Sequence, residues 1–170
     1  MTSLRLRFEP LADQDRAGFV SGEPALDQWF VTRAGQDQRR RAARIFLAMD
    51  DLGIAGFYSL SMFTLALDAL PPALARKLPR YDALPAALIG RLARAERTKG
   101  LGVGDLLLVD AITRILGASK TVAAYAIVVD AKTASAGSFY QAHGFIPLPS
   151  RPERLFLPTE TALRAMDGLK

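Results

Sequence analysis

The sequence predicts an α/β protein in which a mixed, mostly antiparallel sheet is flanked by helices. Apolar residues alternate with polar ones near the N-terminus, and two apolar runs flank a short polar turn, as in a hairpin. Farther along, the order strand, glycine loop, helix, strand appears. The chain has 170 residues, half of them hydrophobic. We therefore expect one domain over 1–170 that folds around its own core without disulfides.

The first half of the chain gives a strand, a helix and a hairpin. Leu4, Leu6 and Phe8 alternate with charged residues, which predicts a half-buried strand. Pro24 suits a helix start, and apolar residues then recur at helical spacing through Gln38. Strands at 45–49 and 54–62 flank the Asp50–Gly53 turn and predict the hairpin.

Prolines dominate the middle of the chain. Four of them lie in residues 68–88, which predicts a surface connection with at most one short helix, around 73–77. Residues 88–95 are apolar enough for a central strand. Three glycines follow, and then an apolar run with helical spacing predicts a helix from about Asp105.

The last part of the chain alternates strands with helices. Residues 122–129 form a continuous apolar run, as expected of a strand covered on both faces. Residues 132–143 predict a helix ending at Gly144. Residues 145–148 and 154–157 predict two final strands, with a tail helix after them.

Composition excludes several kinds of chemistry. The chain has no cysteine, so it has no disulfide, thiolate nucleophile or thiolate metal site. His143 is the only histidine, and we therefore expect no metal site. No apolar run is long enough for a membrane helix, and Met1–Pro10 lacks the apolar core of a signal peptide. We expect a cytoplasmic protein without a membrane partner.

The positive charge is unevenly distributed. The net charge is +5, and between Arg76 and Lys99 seven basic residues accompany two acidic ones. A second basic cluster precedes the first strand of the hairpin and consists of Arg39, Arg40, Arg41 and Arg44. Such patches attract nucleic acid, coenzyme phosphates or an acidic protein.

The glycine loop at 97–104 is the most informative segment. Its glycines allow a sharp turn and close approach of a ligand, and the following helix directs N–H groups at the loop, which suits a pyrophosphate. The loop lacks the Lys-Ser/Thr pair of a Walker A motif and the spacing of a dinucleotide fingerprint. A ligand-free turn is the alternative, and Asp105 in the first helical turn argues against an anion.

The loop and a second motif resemble the acetyl-coenzyme A core of the GNAT acetyltransferases. The family's loop reads glutamine or arginine, two residues, glycine, one residue, then glycine or alanine; here it reads Lys99-x-x-Gly102-x-Gly104. The second motif is Phe139-Tyr140-x-x-x-Gly144-Phe145. A register beginning at Arg97 would restore the arginine but shift the glycines by two, and we prefer Lys99.

A longer set of motifs resembles a narrower group, the GNAT-family toxins of bacterial toxin–antitoxin pairs. The set covers nearly the whole chain and includes Phe19 to Phe30, Gly56-Phe57-Tyr58-Ser59-Leu60, Leu78-Pro79-Arg80-Tyr81, Gly90-Arg91-Leu92-Ala93 and Arg154-Leu155-Phe156-Leu157-Pro158. The chain departs from the group at Arg94 and Ala95, where valine and an acid are usual, and at Ser21, where cysteine is frequent.

The resemblance implies a function and a set of site residues. It implies acetyl transfer from acetyl-CoA to the α-amine of an aminoacyl-tRNA, which blocks translation until a ribbon-helix-helix antitoxin neutralises the enzyme, and it implies a homodimer and a sheet splayed at the acetyl-CoA site. Tyr140 takes the place of the family's catalytic tyrosine. The coenzyme-binding residues would be Leu92, Ala93, Arg94, Lys99, Gly100, Leu101, Gly102, Val103, Gly104 and Asp105.

When an amine attacks a thioester, an acid for the departing thiolate is easier to assign in this sequence than a base for the amine. A phenol with a pKa near 10 is protonated at neutral pH and suits an acid for the departing thiolate. The adjacent Phe139 and the Gly144-Phe145 pair favour this role for Tyr140 over the alternative of a core residue. His143 near a helix end is more typical of a cap, and Glu96 beside three cations should stay ionised and be a weak base. The scarcity of candidate bases favours an α-amine over a lysine amine as the acceptor. The α-amine has the lower pKa and is more often unprotonated at neutral pH.

The basic residues are divided between two anions. Lys99, Arg97 and Arg94 suit the coenzyme phosphates. The remaining basic residues are candidates for tRNA phosphates, with a solvated face as the alternative: Arg39, Arg40, Arg41, Arg44, Arg76, Lys77 and Arg80. An acetyltransferase for a small amine or a protein amine, and a non-catalytic GNAT-like binding module, are the alternative functions.

Overall fold

The structure is a computed structural model that describes residues 4–168. Seven strands lie in this part of the chain: β1 (Arg7–Pro10), β2 (Arg44–Asp50), β3 (Gly53–Ala66), β4 (Ala83–Arg94), β5 (Ala126–Asp130), β6 (Ile146–Leu148) and β7 (Arg151–Pro158). The helices of the same residues are α1 (Pro24–Thr32), α2 (Ala34–Arg39), α3 (Pro72–Ala75), α4 (Val103–Ala118), α5 (Ala134–Ala142) and α6 (Thr159–Asp167).

The strands form one mixed sheet, with hydrogen-bonded neighbours in the order β1, β2, β3, β4, β5, β7, β6. The pairs β1–β2, β2–β3, β5–β7 and β6–β7 are antiparallel, and β4–β5 is parallel from Ala86 opposite Ala126 to Ile89 opposite Val129. The prediction of a mixed, mostly antiparallel sheet flanked by helices is confirmed.

The chain divides into two compact units, which are described separately. Unit 1 comprises residues 1–61 and 90–111, and unit 2 comprises residues 62–89 and 112–170. The expectation of one acetyltransferase domain over 1–170 stays a prediction, and residues 1–3 and 169–170 of it lie outside the described part of the chain.

Aromatic rings fill the core of unit 1. The Phe30 and Phe57 rings stack with centroids 4.0 Å apart, and the Phe19 ring meets Phe57 edge-on at 5.5 Å. The predicted hairpin is confirmed, with Gly53 at φ +120° in its turn. These contacts hold β3 and α1 together, because burying aromatic rings is among the largest stabilising terms a core offers.

Several predicted elements have different bounds in the structure. The hairpin strand predicted over 54–62 continues to Ala66, and the helix predicted from about Asp105 begins at Val103. The first strand begins at Arg7 and not at Leu4. Arg7 pairs with Met49, and β2 ends one residue later at Asp50, so residues 4–6 have no strand beside them to pair with. The predicted helix over 24–38 was wrong as a single helix. Arg33, at φ −122°, interrupts the helix between α1 and α2. A break of one residue barely changes the spacing of apolar residues, so that spacing did not reveal it.

In unit 2, two strands begin at residues other than those predicted. The strand predicted from Leu88 begins at Ala83, and it tolerates Pro85 because that residue contributes only its carbonyl, which accepts the Tyr125 N–H at 2.8 Å. The strand predicted from Val122 begins at Ala126, where pairing with both β4 and β7 starts. Residues 126–129 are fully buried, as the apolar run predicted.

The remaining elements of unit 2 follow the prediction closely. The short helix α3 lies in the proline-rich connection, and β6, β7 and α6 complete the chain. The Thr133 hydroxyl caps α5 by accepting the Ala136 N–H at 3.1 Å. Gly144 follows the helix at φ +92°, the left-handed conformation expected of a glycine after a helix end.

Candidate active site

The site in unit 1 begins where β4 ends, at Leu92, Ala93 and Arg94. The chain is held on both sides there: the Ala95 N–H donates to the Ala55 carbonyl at 2.7 Å and the Glu96 N–H donates to the Val20 carbonyl at 2.8 Å.

Gly56 sets how closely the backbones pack at this point. A Cβ on Gly56 would lie 2.8 Å from the Ala93 carbonyl oxygen and 2.7 Å from a Leu107 methyl group. Only glycine therefore permits this approach of β3 to the end of β4, since real Cβ contacts do not fall below about 3.0 Å.

The glycine loop turns sharply between β4 and α4. A 3₁₀ turn at Glu96–Thr98 begins it, in which the buried Thr98 hydroxyl donates to the Ala95 carbonyl at 2.7 Å. Gly100 and Gly102 then adopt φ +81° and +79°. A Cβ would meet nothing within 4 Å at either position, so the backbone angle, not crowding, requires glycine.

The loop delivers a helix N-terminus and one exposed cation. The Leu106 N–H donates to the Gly102 carbonyl at 3.2 Å, so Val103, Gly104 and Asp105 supply the N–H groups of the first turn of α4. Lys99 and Leu101 are exposed beside them. This arrangement is suited to a pyrophosphate, whose charge the helix dipole and Lys99 would stabilise. The exposed Asp105 carboxylate in the same turn opposes part of that attraction.

Arg97 is held by another group. Its guanidinium donates to both oxygens of Asp50, at 2.7 and 2.9 Å, and to the Ile54 carbonyl at 3.1 Å. This ion pair raises the pKa of Arg97, and the hydrogen bond from Arg97 lowers the pKa of Asp50. Arg97 is thus already paired with Asp50, and its expected role at the coenzyme phosphates stays a prediction. The pair favours the register in which Lys99 is the loop cation.

A cleft of about 470 Å³ lies beside the 3₁₀ turn. Phe19, Val20 and Ile54 give it an apolar wall, and Glu96 and Arg97 line its polar side. No sequence pattern predicted this cleft, because its walls come from segments that lie far apart in the chain. Val20, which is 52% exposed, lies beside the buried Phe19 on its apolar side.

Tyr140 lies on α5 in unit 2 and is 6% exposed. Its ring is edge-on to Phe139 and to Phe145, with centroids 5.3 and 5.6 Å away. Burial raises the pKa of Tyr140 to about 12, and the Asp130 carboxylate adds to the rise. The phenol is thus neutral across the physiological range, as a proton donor must be.

The residue that perturbs Tyr140 was not among the predicted site residues. Asp130 ends β5 and accepts two hydrogen bonds from the Arg154 guanidinium, at 2.7 and 3.0 Å. The Arg154 guanidinium also lies over the Phe63 ring at 4.7 Å. Asp130 follows directly on a buried apolar run, and that position at a strand end is the signal that could have found it.

His143 is the C-cap residue of α5. Its backbone N–H donates to the Tyr140 carbonyl at 3.0 Å, and its ring is edge-on to Phe139 at 5.0 Å. These contacts agree with the capping role that the sequence suggested. Glu96 is exposed and lines the cleft of unit 1, so it is the better placed of the two candidate bases.

The predicted tRNA-binding residues are exposed. Those of unit 1 lie at the end of α2 and the start of β2, and those of unit 2 follow α3. Within residues 4–168 none of them forms an ion pair with a carboxylate. They are Arg39, Arg40, Arg41 and Arg44 in unit 1, and Arg76, Lys77 and Arg80 in unit 2.

The described residues contain neither a cluster suited to a metal ion nor a helix suited to a membrane. Between residues 4 and 168 no group of three or more histidine, cysteine, aspartate or glutamate side chains is arranged to hold a metal ion. In the same residues, no helix is both long and apolar enough to cross a membrane.

Two curated proteins are similar to almost the entire chain. A probable toxin TacT of Sinorhizobium fredii is 31% identical over 95% of this chain and 94% of its own length. A tRNA-acetylating toxin of Mycobacterium tuberculosis is 34% identical over 91% of each chain. No protein-family profile matches the sequence.

Solved structures of related toxins share the fold and about a quarter of the sequence. A tyrosine-to-phenylalanine mutant of KacT superimposes with a TM-score of 0.88 at 29% identity, covering 94% of this chain and 98% of its own. AtaT complexed with acetyl-methionyl-tRNA has a TM-score of 0.88 at 28% identity, covering 95% and 99%. A tyrosine-to-phenylalanine mutant of AtaT bound to acetyl-CoA and the C-terminus of the antitoxin AtaR has a TM-score of 0.81 at 26% identity, covering 95% and 98%. The chain belongs to the family of tRNA-acetylating toxins, which are GNAT acetyltransferases.

Proposed function

We propose that this protein transfers the acetyl group of acetyl-CoA to the α-amine of an aminoacyl-tRNA and thereby blocks translation. The observation that carries the proposal is the double left-handed turn at Gly100 and Gly102, which places Lys99 beside the N-terminus of α4. Relatives of the same length are a tRNA-acetylating toxin and a toxin complexed with acetyl-methionyl-tRNA.

The coenzyme is assigned to unit 1. Lys99 and the loop from Gly100 to Asp105 would hold its pyrophosphate, and the backbone of Leu92, Ala93 and Arg94 would lie along its acyl arm. Acetyl-CoA supplies the acetyl group as a thioester, which an unprotonated amine attacks directly. The open space around the two left-handed glycines agrees with a ligand lying against the loop backbone.

Tyr140 is assigned to the departing sulfur. With a pKa of about 12, its phenol stays protonated at neutral pH. An alkyl thiol has a pKa of about 8.5, so complete proton transfer from this phenol to a thiolate is uphill. Tyr140 therefore acts as a hydrogen-bond donor that stabilises charge on sulfur. The proton released by the attacking amine can then neutralise the thiolate.

The acceptor is an amine of low pKa. A free α-amine titrates near 8 and a lysine amine near 10.4, so at neutral pH the α-amine is unprotonated far more often. Glu96 lines the cleft beside the 3₁₀ turn, where its carboxylate would attract the amine, and water would relay the amine's proton to the thiolate. The apolar wall of that cleft would take the amino-acid side chain of the acceptor.

The remaining assignments concern partners and location. The exposed arginines of both units would bind tRNA phosphates. A ribbon-helix-helix antitoxin would neutralise the enzyme, as a related toxin is bound to the C-terminus of its antitoxin. The proposal includes a homodimer. It also includes a cytoplasmic location, because the aminoacyl-tRNA that the protein would acetylate is used in translation there.

The decisive experiment supplies radiolabelled acetyl-CoA with three acceptors: aminoacylated total tRNA, the same tRNA deacylated, and total protein. Label should appear only in aminoacylated tRNA and be released with the amino acid on mild alkaline hydrolysis. Label in protein would instead favour an acetyltransferase for a protein amine. Coenzyme binding without transfer to any acceptor would favour a non-catalytic module.

A further inference from the structure

A second cleft, of about 540 Å³, lies in unit 2 where β3 leads into the proline-rich connection. Its apolar part is formed by Leu67 and nearby alanines, and its polar part by Arg76, Arg80, Asp68 and Asp82. Tyr81 stands at its side. The volume falls within the range typical of small-molecule sites.

The charges of this cleft are balanced. Two guanidinium groups, of Arg76 and Arg80, are accompanied by two carboxylates, of Asp68 and Asp82. A surface that only attracts phosphates would have no acids, as in the cluster at Arg39–Arg44. A ligand with both hydrogen-bond donors and a negative charge matches the cleft better than a simple polyanion does.

Tyr81 is unusually exposed for a ring of its size. It is 66% exposed, although aromatic side chains are normally buried. The Tyr81 N–H donates to the Pro79 carbonyl at 2.9 Å, in a turn where the Pro79 ring restricts φ. An exposed ring beside arginines is the arrangement on which an unpaired base stacks.

We propose that this cleft holds one unpaired nucleotide of the tRNA. The base would stack on Tyr81, its amino group would donate to Asp68 or Asp82, and its phosphate would pair with Arg76 or Arg80. An acidic peptide of the antitoxin is disfavoured, because it has no planar base to stack on Tyr81. The inference rests on the proposed function, since it takes the RNA to be the tRNA acceptor.

The test measures binding of two RNA probes by fluorescence anisotropy: a short single-stranded oligoribonucleotide of mixed sequence, and a duplex of the same length. Tyr81→Ala should weaken binding of the single strand about fivefold or more, and leave binding of the duplex unchanged. Tyr81→Phe should retain the parent's affinity, because it keeps the stacking face. Thermal unfolding of each variant verifies that the fold is intact.

The outcomes separate this inference from the proposed function. An unchanged single-strand affinity in Tyr81→Ala, or an equal loss for both probes, would overturn the nucleotide site even if the enzyme acetylates tRNA normally. A loss of affinity for an acidic peptide of glutamates, with RNA binding intact, would overturn it in favour of a protein partner. Absence of acetyl transfer by the parent protein would refute the proposed function while the RNA measurements still decide the cleft.

Discussion

The Arg97 guanidinium donates two hydrogen bonds to the Asp50 carboxylate, at 2.7 and 2.9 Å, and so joins the hairpin turn of unit 1 to the 3₁₀ turn before the glycine loop. The Asp50 side chain is 11% exposed and that of Arg97 37%. The pair fixes the base of the loop and leaves Lys99 as its exposed cation.

Asp50→Asn should destabilise the fold by ~1 kcal/mol at pH 7, a value reduced for the partial exposure of Arg97. The hydrogen bond from Arg97 lowers the pKa of Asp50 below its ordinary 3.8. The stabilisation is thus fully present above pH 3.8 and is lost as the pH falls through the lowered pKa of the folded state. Urea unfolding should show the ~1 kcal/mol difference between parent and variant at pH 7, and a difference that shrinks as the pH is lowered to about 2.

The matched control for this pair is Glu160→Gln. The Arg164–Glu160 pair has a similar contact of 2.7 Å, but its side chains are 77% and 76% exposed. This substitution should have no measurable effect on the free energy of unfolding. Equal effects of the two substitutions would contradict a special role for the Asp50–Arg97 pair.

Gly102→Ala should lower both stability and affinity for acetyl-CoA. An alanine at φ +79° costs ~1–2 kcal/mol even though the surrounding space is open. Relief of that strain would move the N–H groups of the loop. Calorimetric titration with acetyl-CoA and thermal unfolding measure the two effects.

Gly117→Ala, in α4 after the loop, provides the control. A Cβ at Gly117 meets nothing within 4 Å, and this glycine has no left-handed backbone angle. The substitution should leave coenzyme affinity unchanged and raise stability by up to ~1 kcal/mol. Loss of coenzyme binding in Gly117→Ala but not in Gly102→Ala would refute the loop assignment.

Tyr140→Phe should lower turnover about a hundredfold or more, because the leaving sulfur loses its hydrogen-bond donor, while acetyl-CoA affinity stays the same. Tyr125→Phe is the matched control, since it removes a phenol from the same unit and should retain activity. Initial rates with aminoacyl-tRNA, together with acetyl-CoA titrations, check both. Normal turnover by Tyr140→Phe would remove its proposed role.

The pH dependence of Tyr140 follows from the direction of its pKa shift. Its neutral form is the active one, and burial raises the pKa to about 12, so turnover should not decline through loss of this proton as the pH rises past 10. An ordinary phenol would be half ionised there. Ultraviolet titration should show one tyrosine fewer near pH 12 in Tyr140→Phe. A difference centred near pH 10 would contradict the burial argument.

Arg41→Glu combined with Arg44→Glu should raise the KM for aminoacyl-tRNA about tenfold or more and leave the KM for acetyl-CoA unchanged. Both side chains are exposed, so the fold should tolerate the change. Lys120→Glu, a single exposed charge reversal in unit 2, is the control. Unchanged tRNA kinetics in the double variant would assign the cluster to a solvated face.

Much of the fold could be predicted because the signals are local. The alternation near Phe8, the apolar run at 126–129 and the glycine after α5 each act within a few residues. Where prediction failed, a distant partner or a single backbone angle decided the outcome. The first strand starts at Arg7 because β2 ends opposite it, and the helix over 24–38 breaks at Arg33.

The sequence by itself determined the family, the glycine loop and Tyr140 as a candidate acid, because motif spacing and the need for glycine in a left-handed turn are properties of short segments. Only the tertiary structure decided which charges have partners. Asp50 and Arg97 are 47 residues apart in the chain, and Asp130 and Arg154 are 24 apart. The two clefts likewise depend on segments distant in sequence, since enclosed space forms only when such segments pack together.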